Sequence, residues 1–243
     1  MGEVEASTFR SDHGTVSFFA CASRFDISGS VSRLGAMLRN PTKSAVTCME
    51  RLLFYLANTS KFVLHGSTAP PGLHNKLETW CDSDFAGDRL LTLRSQTSHI
   101  HLLNGAPAFW RSVKQSSYST QHASIQTASG GAEIVAASDA VRAARLLSFR
   151  LTEMRMGVPM PLTIYVDANT AISFAEATCV DSALRGTLPL HDGWVRELRD
   201  KKVIKFAKVG TTNNLADLGS KCHQRGPFKR LVHMILNINA KHK

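Results

Sequence analysis

Strand-like and helix-like patterns follow one another along residues 77–220 in an order that leaves few folds open to this chain. Three strand-like stretches come first, at Leu77–Asp82, Thr97–Leu103 and Pro107–Ser112, with polar turns between them. Apolar residues then recur every three or four positions over Ala132–Met154, which is typical of an amphipathic helix. The remaining stretches alternate, with strands predicted at Leu162–Asp167 and Val203–Val209 and helices at Asn169–Ala177 and from Leu215 onward. The order βββαβαβα predicts an α/β fold.

The first 70 residues carry a helical pattern instead. A helix is predicted to open at Asn40–Lys43, because the apolar residues after it recur at helical spacing; they are Val46, Met49, Leu52, Leu53 and Leu56. Two prolines and a glycine at Pro70–Gly72 then break the pattern. We therefore predict a helical segment over residues 1–70, an α/β domain over 76–225 and a basic C-terminal helix or tail over 226–243.

The composition points to a globular protein with an anionic partner. The chain has 243 residues, of which 43% are hydrophobic, and its formal net charge is +10. Nucleic acid is favoured over an acidic membrane surface, because no basic amphipathic helix with aromatic anchors is evident. The five cysteines are scattered and never form a C-x-x-C pair, so neither a disulfide framework nor a thiolate zinc site is indicated.

The sequence favours an intracellular location. No apolar run approaches the roughly 18 residues of a membrane span, so no membrane partner is expected. The amino terminus is acidic where a secretory signal would be basic, which argues against export through a signal peptide. We therefore expect the protein in the cytoplasm, with the nucleus as the alternative.

Four acidic residues stand where predicted strands end or predicted helices begin. Asp82 and Asp167 end strands. Glu133 lies in the first turn of the long predicted helix, and Asp217 lies at the start of the last one. Such positions converge at one edge of a mixed sheet, where four carboxylates could hold two Mg²⁺ ions for phosphodiester hydrolysis. Each acid taken singly also fits a helix cap or a turn, so the spacing leaves both interpretations open.

The acids lie in four short motifs. These are CDSDFAGD at residues 81–88 with RSQTS at 94–98, SGGAEIVA at 129–136, IYVDANTAI at 164–172 and NLADLGSK at 214–221. Their residues and order resemble those of the ribonuclease H domain in the Pol polyproteins of copia-type LTR retrotransposons. The resemblance implies a ribonuclease H-like fold, with a mixed five-stranded sheet and flanking helices. It also implies that the catalytic, metal-binding acids are Asp82, Glu133, Asp167 and Asp217.

The N-terminal segment resembles a neighbouring part of the same polyproteins. RFDI at residues 24–27, NPTK at 40–43 and RLLFYL at 51–56 are similar to motifs near the end of the reverse transcriptase. The resemblance therefore implies that residues 1–70 are a helical remnant of the reverse transcriptase thumb or connection.

The function that the resemblance implies is endonucleolytic hydrolysis of the RNA strand of RNA–DNA hybrids. Its cofactors would be two Mg²⁺ ions, or alternatively Mn²⁺. Its partners would be the hybrid and a reverse transcriptase or polyprotein context. The basic residues predicted to contact nucleic-acid phosphates are Arg111, Lys114, Lys205, Lys208 and Lys221, although a solvated basic face explains them equally well.

Two departures from the family pattern leave other interpretations open. The stretch Leu184–Leu190 has no histidine where the family has one, and the chain is longer near Tyr118–His122. The main alternative is a catalytically silent nucleic-acid-binding relic that keeps its basic groove. A pseudogene product that folds poorly is the third alternative.

Overall fold

A mixed sheet of five strands forms the centre of the computed structural model, which describes residues 2–66, 69, 74–87, 94–115, 125–177 and 194–236. The strands are β1 (Leu77–Asp84), β2 (Gln96–Leu103), β3 (Ala106–Lys114), β4 (Leu162–Val166) and β5 (Ile204–Lys208). Their order in the sheet is β3-β2-β1-β4-β5. The pairs β1–β2 and β2–β3 are antiparallel, and the pairs β1–β4 and β4–β5 are parallel. This arrangement confirms the predicted α/β fold and is consistent with a ribonuclease H-like fold.

Helices precede, interrupt and follow the strands. Those before the sheet are α1 (Glu3–Ala22), α2 (Phe25–Gly35) and α3 (Lys43–Asn58). Those between strands are α4 (Ile125–Glu153), α5 (Asn169–Glu176) and α6 (Trp194–Asp200). After β5 come a 3₁₀ turn (Thr211–Asn213), α7 (Asp217–Ser220) and α8 (Arg225–Ile235).

Three hydrophobic clusters hold these elements together. In the first, buried alanines of α4 such as Ala140 and Ala144 pack with Ile164 of β4 on one side of the sheet. In the second, Ile100 of β2 packs with side chains from α7 and α8 and with Phe25, the first residue of α2. The third joins α1, α2 and α3 to one another. Through Phe25, the N-terminal helices therefore share a core with the sheet.

Two residues specify the hairpin between β2 and β3. Asn104 and Gly105 have positive φ angles of 52° and 82°, as the two central residues of a type I′ turn require. Glycine and asparagine adopt this backbone region at lower cost than other residues. Leu103 and Ala106 pair across the turn, which confirms the predicted hairpin.

Some predicted helices differ from the structure. The long helix α4 begins at Ile125 rather than at Ala132, because the glycines of its first turns hide the apolar period. The helix predicted from Leu215 onward is two short helices, α7 and α8. The predicted order also lacks α6, whose seven residues are too few for a clear period.

Several predicted features lie outside the described residues. They are the insertion near Tyr118–His122, the altered stretch Leu184–Leu190, the break at Pro70–Gly72 and residues 237–243 of the C-terminal tail. Within the ranges that the structure does describe, no helix combines the length and the hydrophobicity that a bilayer span requires.

Thr42→Ala should lower the free energy of unfolding by about 1 kcal/mol, because Thr42 caps α3. Its Oγ1 accepts a hydrogen bond of 3.1 Å from the backbone N–H of Ala45. The matched control is Thr47→Ala, at an exposed position of the same helix, which should raise the free energy of unfolding by about 0.5 kcal/mol, because alanine has the higher helix propensity. Urea unfolding measures both variants. Equal effects of the two substitutions would mean that the cap does not stabilise the protein.

Candidate metal centre

Neighbouring parallel strands place Asp82 and Asp167 side by side. In the ladder between β1 and β4, Trp80 pairs with Tyr165. Asp82 and Asp167 each lie two positions further along, so the two acids stand level with each other at the same end of the sheet. Asp82 lies within β1 and is 0% exposed, whereas Asp167 follows β4 directly and is half-buried.

The short helix α7 brings a third acid to this end of the sheet. Asp217 is its first residue and is buried, and α7 contacts both β1 and β2. One carboxylate oxygen from each of Asp82, Asp167 and Asp217 lies within 4.8 Å of the other two. Three hard oxygen ligands at this spacing are within reach of one divalent cation. The structure therefore brings together three of the four predicted acids as a possible metal site.

Glu133 borders this three-acid group. It lies well inside α4, which begins at Ile125, and not in the first turn, where the sequence predicts it. The pKa of the Glu133 carboxyl is raised to about 7, chiefly by burial and also by the charges of Asp167 and Asp217. The buried Ser83 hydroxyl lowers this pKa from close by, although it forms no hydrogen bond of normal geometry. The charges of the three-acid group thus raise the pKa of Glu133, although Glu133 is not one of the three acids whose oxygens lie within 4.8 Å of one another.

The three-acid group holds more negative charge than its surroundings stabilise. Burial is the main reason why the pKa of the Asp82 carboxyl lies well above its usual range, and the charges of Asp217 and Glu133 add to the effect. Burial also raises the pKa of the Asp217 carboxyl. Lys221 counteracts the shift at both aspartates. A bound cation would relieve the remaining imbalance.

Lys221 places a positive charge between two of the acids. Its Nζ lies 3.0 Å from Asp82 Oδ1 and 2.9 Å from Asp217 Oδ1. Burial disfavours the charged ammonium, but the two carboxylates outweigh burial and raise the pKa of Lys221. The sequence predicts a phosphate contact for Lys221, whereas its partners in the structure are carboxylates.

Two residues outside the predicted set of site residues hold α7 against β1. The Ser220 hydroxyl donates a hydrogen bond to Asp82 Oδ2. The side-chain amide of Asn214 donates to the backbone oxygen of Cys81 over 3.0 Å, and its oxygen accepts from the backbone N–H of Ala216 over 3.2 Å. Both residues lie in the motif at 214–221, so that motif was the signal that could have identified them.

Helix α2 supports α7 from the opposite side. Gly29 of α2 faces Gly219 of α7 so closely that a Cβ on Gly29 would lie 2.8 Å from the Gly219 backbone oxygen. The Arg33 guanidinium donates to the backbone oxygen of Ser220 and lies 3.6 Å from the Asp84 carboxylate. Because Arg33 and Ser220 are 187 positions apart, no local sequence signal could have predicted this contact.

The other predicted phosphate-binding residues lie on the two edge strands of the sheet. Lys205 and Lys208 are on β5, and Arg111 and Lys114 are on β3, so β1 and β4 with their acids lie between the two pairs. Lys208 is at the rim of the three-acid group, because its Nζ donates to the backbone oxygen of Asp167.

The residues on β3 and β5 are not equally close to the centre. Lys114 pairs with Gln96, which pairs with Asp84, so Lys114 lies at the same end of the sheet as the acids. Arg111 instead lines a groove between β3 and α4. Lys205 pairs with Thr163, earlier in the strand that leads to Asp167. Lys114 and Lys208 therefore flank the centre more closely than the other two.

Gly29→Ala should lower the free energy of unfolding by roughly 1–3 kcal/mol and weaken Mn²⁺ binding, because the added methyl group would push α7 and Asp217 away from β1. Gly14→Ala is the control, since nothing lies within 4 Å of a Cβ at this position of α1. It should instead stabilise the protein by roughly 0.5–1 kcal/mol. Urea unfolding and calorimetric Mn²⁺ titration would measure both. Unchanged Mn²⁺ affinity in Gly29→Ala would contradict the supporting role of α2.

Mn²⁺ affinity should rise with pH through the pKa of Glu133, which is about 7. Below this pKa the carboxyl is protonated and neutral, and above it the carboxylate attracts the cation. Glu133→Gln should bind Mn²⁺ more weakly and make the rise with pH shallower. Part of the rise should remain, because the pKa of Asp82 is raised as well. Calorimetric titration at a series of pH values tests this, and an equally steep rise in Glu133→Gln would rule out the effect of Glu133.

Known proteins that resemble this chain are retrovirus-related Pol polyproteins of plant transposons. The polyprotein from transposon TNT 1-94 of Nicotiana tabacum is 24% identical over 239 residues, which cover 97% of this chain and 17% of the polyprotein. The polyprotein from transposon RE1 of Arabidopsis thaliana is 25% identical over 232 residues, covering 96% of this chain and 15% of the polyprotein. The polyprotein from transposon RE2 of Arabidopsis thaliana is 25% identical over 231 residues, which cover 95% of this chain and 15% of the polyprotein.

This similarity extends over nearly the whole chain but over a small part of each relative. The chain spans about a sixth of the length of these polyproteins. No protein-family model matches it. The predicted resemblance to retrotransposon Pol polyproteins is confirmed at this level, with low identity.

Proposed function

We propose that this chain is a metal-dependent ribonuclease H that hydrolyses the RNA strand of RNA–DNA hybrids. The observation that carries the proposal is the convergence of Asp82, Asp167 and Asp217 within 4.8 Å at one end of a mixed sheet, with Glu133 beside them. Burying so many carboxylates without full compensation lowers stability, so a catalytic use explains them better than a structural one. The similarity to retrovirus-related Pol polyproteins supports the same proposal.

The donor set fits Mg²⁺, with Mn²⁺ as the alternative. Carboxylate oxygens are the hard ligands that both ions prefer. The position between Asp82 and Asp217 already stabilises a cation, because the ammonium of Lys221 lies there. When bound, two metal ions would supply an activated water and neutralise charge on the leaving oxygen.

The residues of the chain would hold the metal ions and leave one side open to the substrate. The buried Asp82 carboxylate is held by Ser220 and therefore keeps one orientation. Asp167 is half-buried and forms the accessible side, where a scissile phosphate would approach. Glu133 borders the three-acid group, where it would complete a metal site, and the pKa of its carboxyl, about 7 without metal, would fall once a cation binds beside it.

Basic residues at both sides of the centre suit a duplex substrate. Lys114 and Lys208 lie on opposite edges of the sheet at the end that holds the acids. Contacts of such lysines with phosphates would position the hybrid without reading its sequence. Recognition of the RNA strand would rest on the shape of the hybrid and on its 2′-hydroxyl groups.

The helical segment before the sheet would be the end of a reverse transcriptase, and the activity would belong with such a polymerase or polyprotein. The relatives carry the corresponding region within a longer Pol polyprotein. An intracellular site, cytoplasmic or nuclear, fits the exposed free thiols of Cys21, Cys48 and Cys222, which a reducing compartment would preserve.

A catalytically silent nucleic-acid-binding relic is the second candidate function. The observation that favours it is the pairing of Lys221 with two of the acids, because this pairing neutralises part of their charge without a metal. A relic of this kind would bind hybrids through its basic residues but would not cleave them.

Cleavage of a labelled RNA–DNA hybrid in Mg²⁺ or Mn²⁺ would distinguish the two candidates. We expect the RNA strand alone to be cut and EDTA to abolish cutting. Asp82→Asn should lower the rate by at least about a hundredfold, because the centre loses a buried ligand. The matched control is Asp200→Asn at an exposed acid on α6, which should cut at the normal rate.

Folded protein that binds hybrid with either metal ion but leaves the RNA strand intact would contradict the nuclease and support the silent relic. Cutting that persists in Asp82→Asn would mean that another site, or a contaminating nuclease, performs the reaction.

A further inference from the structure

Lys221 and the Ser220 hydroxyl occupy both oxygens of the buried Asp82 carboxylate. Oδ1 lies 3.0 Å from the Lys221 ammonium, and Oδ2 accepts the Ser220 hydroxyl. Because Asp82 is 0% exposed, its oxygens are accessible only through the groups that surround them. A metal ion that binds Asp82 must therefore displace one of these two partners or share an oxygen with it.

We propose that Lys221 is a resident cation of the centre, which competes with divalent metal for Asp82 and Asp217 and leaves when metal binds. The inference rests on the proposed function, because it concerns the control of the same site. It assigns Lys221 a role in metal loading, in addition to the phosphate contact that the sequence predicts.

Charge makes Lys221, rather than Ser220, the partner that leaves. The ammonium and a divalent ion would both be cations within about 3 Å of the same oxygens, where their repulsion is strong. A hydroxyl is neutral and can keep its hydrogen bond to Oδ2 beside a metal on Oδ1. The same ammonium also contacts Asp217, so its departure frees two of the three possible ligands together.

The backbone around Lys221 allows this departure. Lys221 follows the last residue of α7 and has an extended conformation, with φ −110° and ψ 159°. Its side chain is 32% exposed, whereas Asp82 is fully covered. The ammonium can therefore turn toward solvent by rotation of its side chain, while α7 and Asp217 stay in place.

Metal binding without nucleic acid tests the inference directly. Lys221→Met removes the charge but keeps most of the side-chain volume, and Lys221→Gln is a second variant in case the first folds poorly. We expect both to bind Mn²⁺ about tenfold more tightly than the wild type in calorimetric titration at about pH 8, because no resident cation has to be displaced. Lys221→Arg retains the charge and should bind Mn²⁺ no more tightly than the wild type.

Matched controls locate the effect. Lys43→Met removes an exposed lysine from the start of α3, a helix that carries none of the four acids, and should leave Mn²⁺ affinity unchanged. Asp167→Asn should lose most of the binding in both the wild-type and the Lys221→Met backgrounds, which would show that the titrated ion binds at this centre.

Thermal unfolding gives a second test, because Lys221→Met should lower the melting temperature of the metal-free protein while it raises the affinity for Mn²⁺. Without metal, Lys221→Met should melt at a lower temperature than the wild type, since two buried carboxylates lose their counterion. Saturating Mn²⁺ should close this gap, because the ion replaces the missing charge and binds the folded state. A residue with a structural role alone would lower the melting temperature without tightening metal binding.

Equal or weaker Mn²⁺ binding in both charge-removing variants, measured on folded protein, would overturn the inference while leaving the proposed nuclease intact. Absence of Mn²⁺ binding in every variant would overturn both. Tighter binding in Lys221→Met and Lys221→Gln, together with no cleavage of hybrids by any variant, would support the inference and contradict only the proposed function.

Discussion

The burial of the Asp82 carboxylate is the constraint around which the candidate metal centre is organised. A carboxylate removed from water needs a partner for each oxygen, or its ionised form becomes costly. The partners are Ser220, the last residue of α7, and Lys221, which directly follows α7. Both lie far along the chain from β1. The centre can therefore form only when the C-terminal part of the chain is folded over the sheet, so the site depends on the whole fold.

The same requirement explains why the N-terminal helices matter for the centre. Helix α7 has four residues, too few to be stable by its own hydrogen bonds. Asn214 ties the preceding loop to β1, and Gly29 and Arg33 of α2 support α7 from the other side. A segment whose motifs resemble the end of a polymerase thus contributes directly to the geometry that holds Asp217.

Much of the fold and most of the candidate site could be predicted because their signals are local. The alternation of buried residues along β4, the cap and period of α3 and the Asn104–Gly105 turn each depend on neighbouring residues. The acids were identified through short motifs. The sequence pattern places Glu133 too near the start of α4, because the glycines before it hide the early turns of the helix, and no pattern indicates the carboxylate partners of Lys221.

The α/β order of elements, the hairpin and the four candidate acids can be read from the amino-acid sequence, since periodicity, turn residues and motifs are properties of adjacent positions. The folded structure alone shows which acids lie within 4.8 Å of one another, that Lys221 pairs with two of them, and that α2 supports α7. These contacts join residues up to 187 positions apart, and their energies depend on burial and charge that arise only when the chain packs.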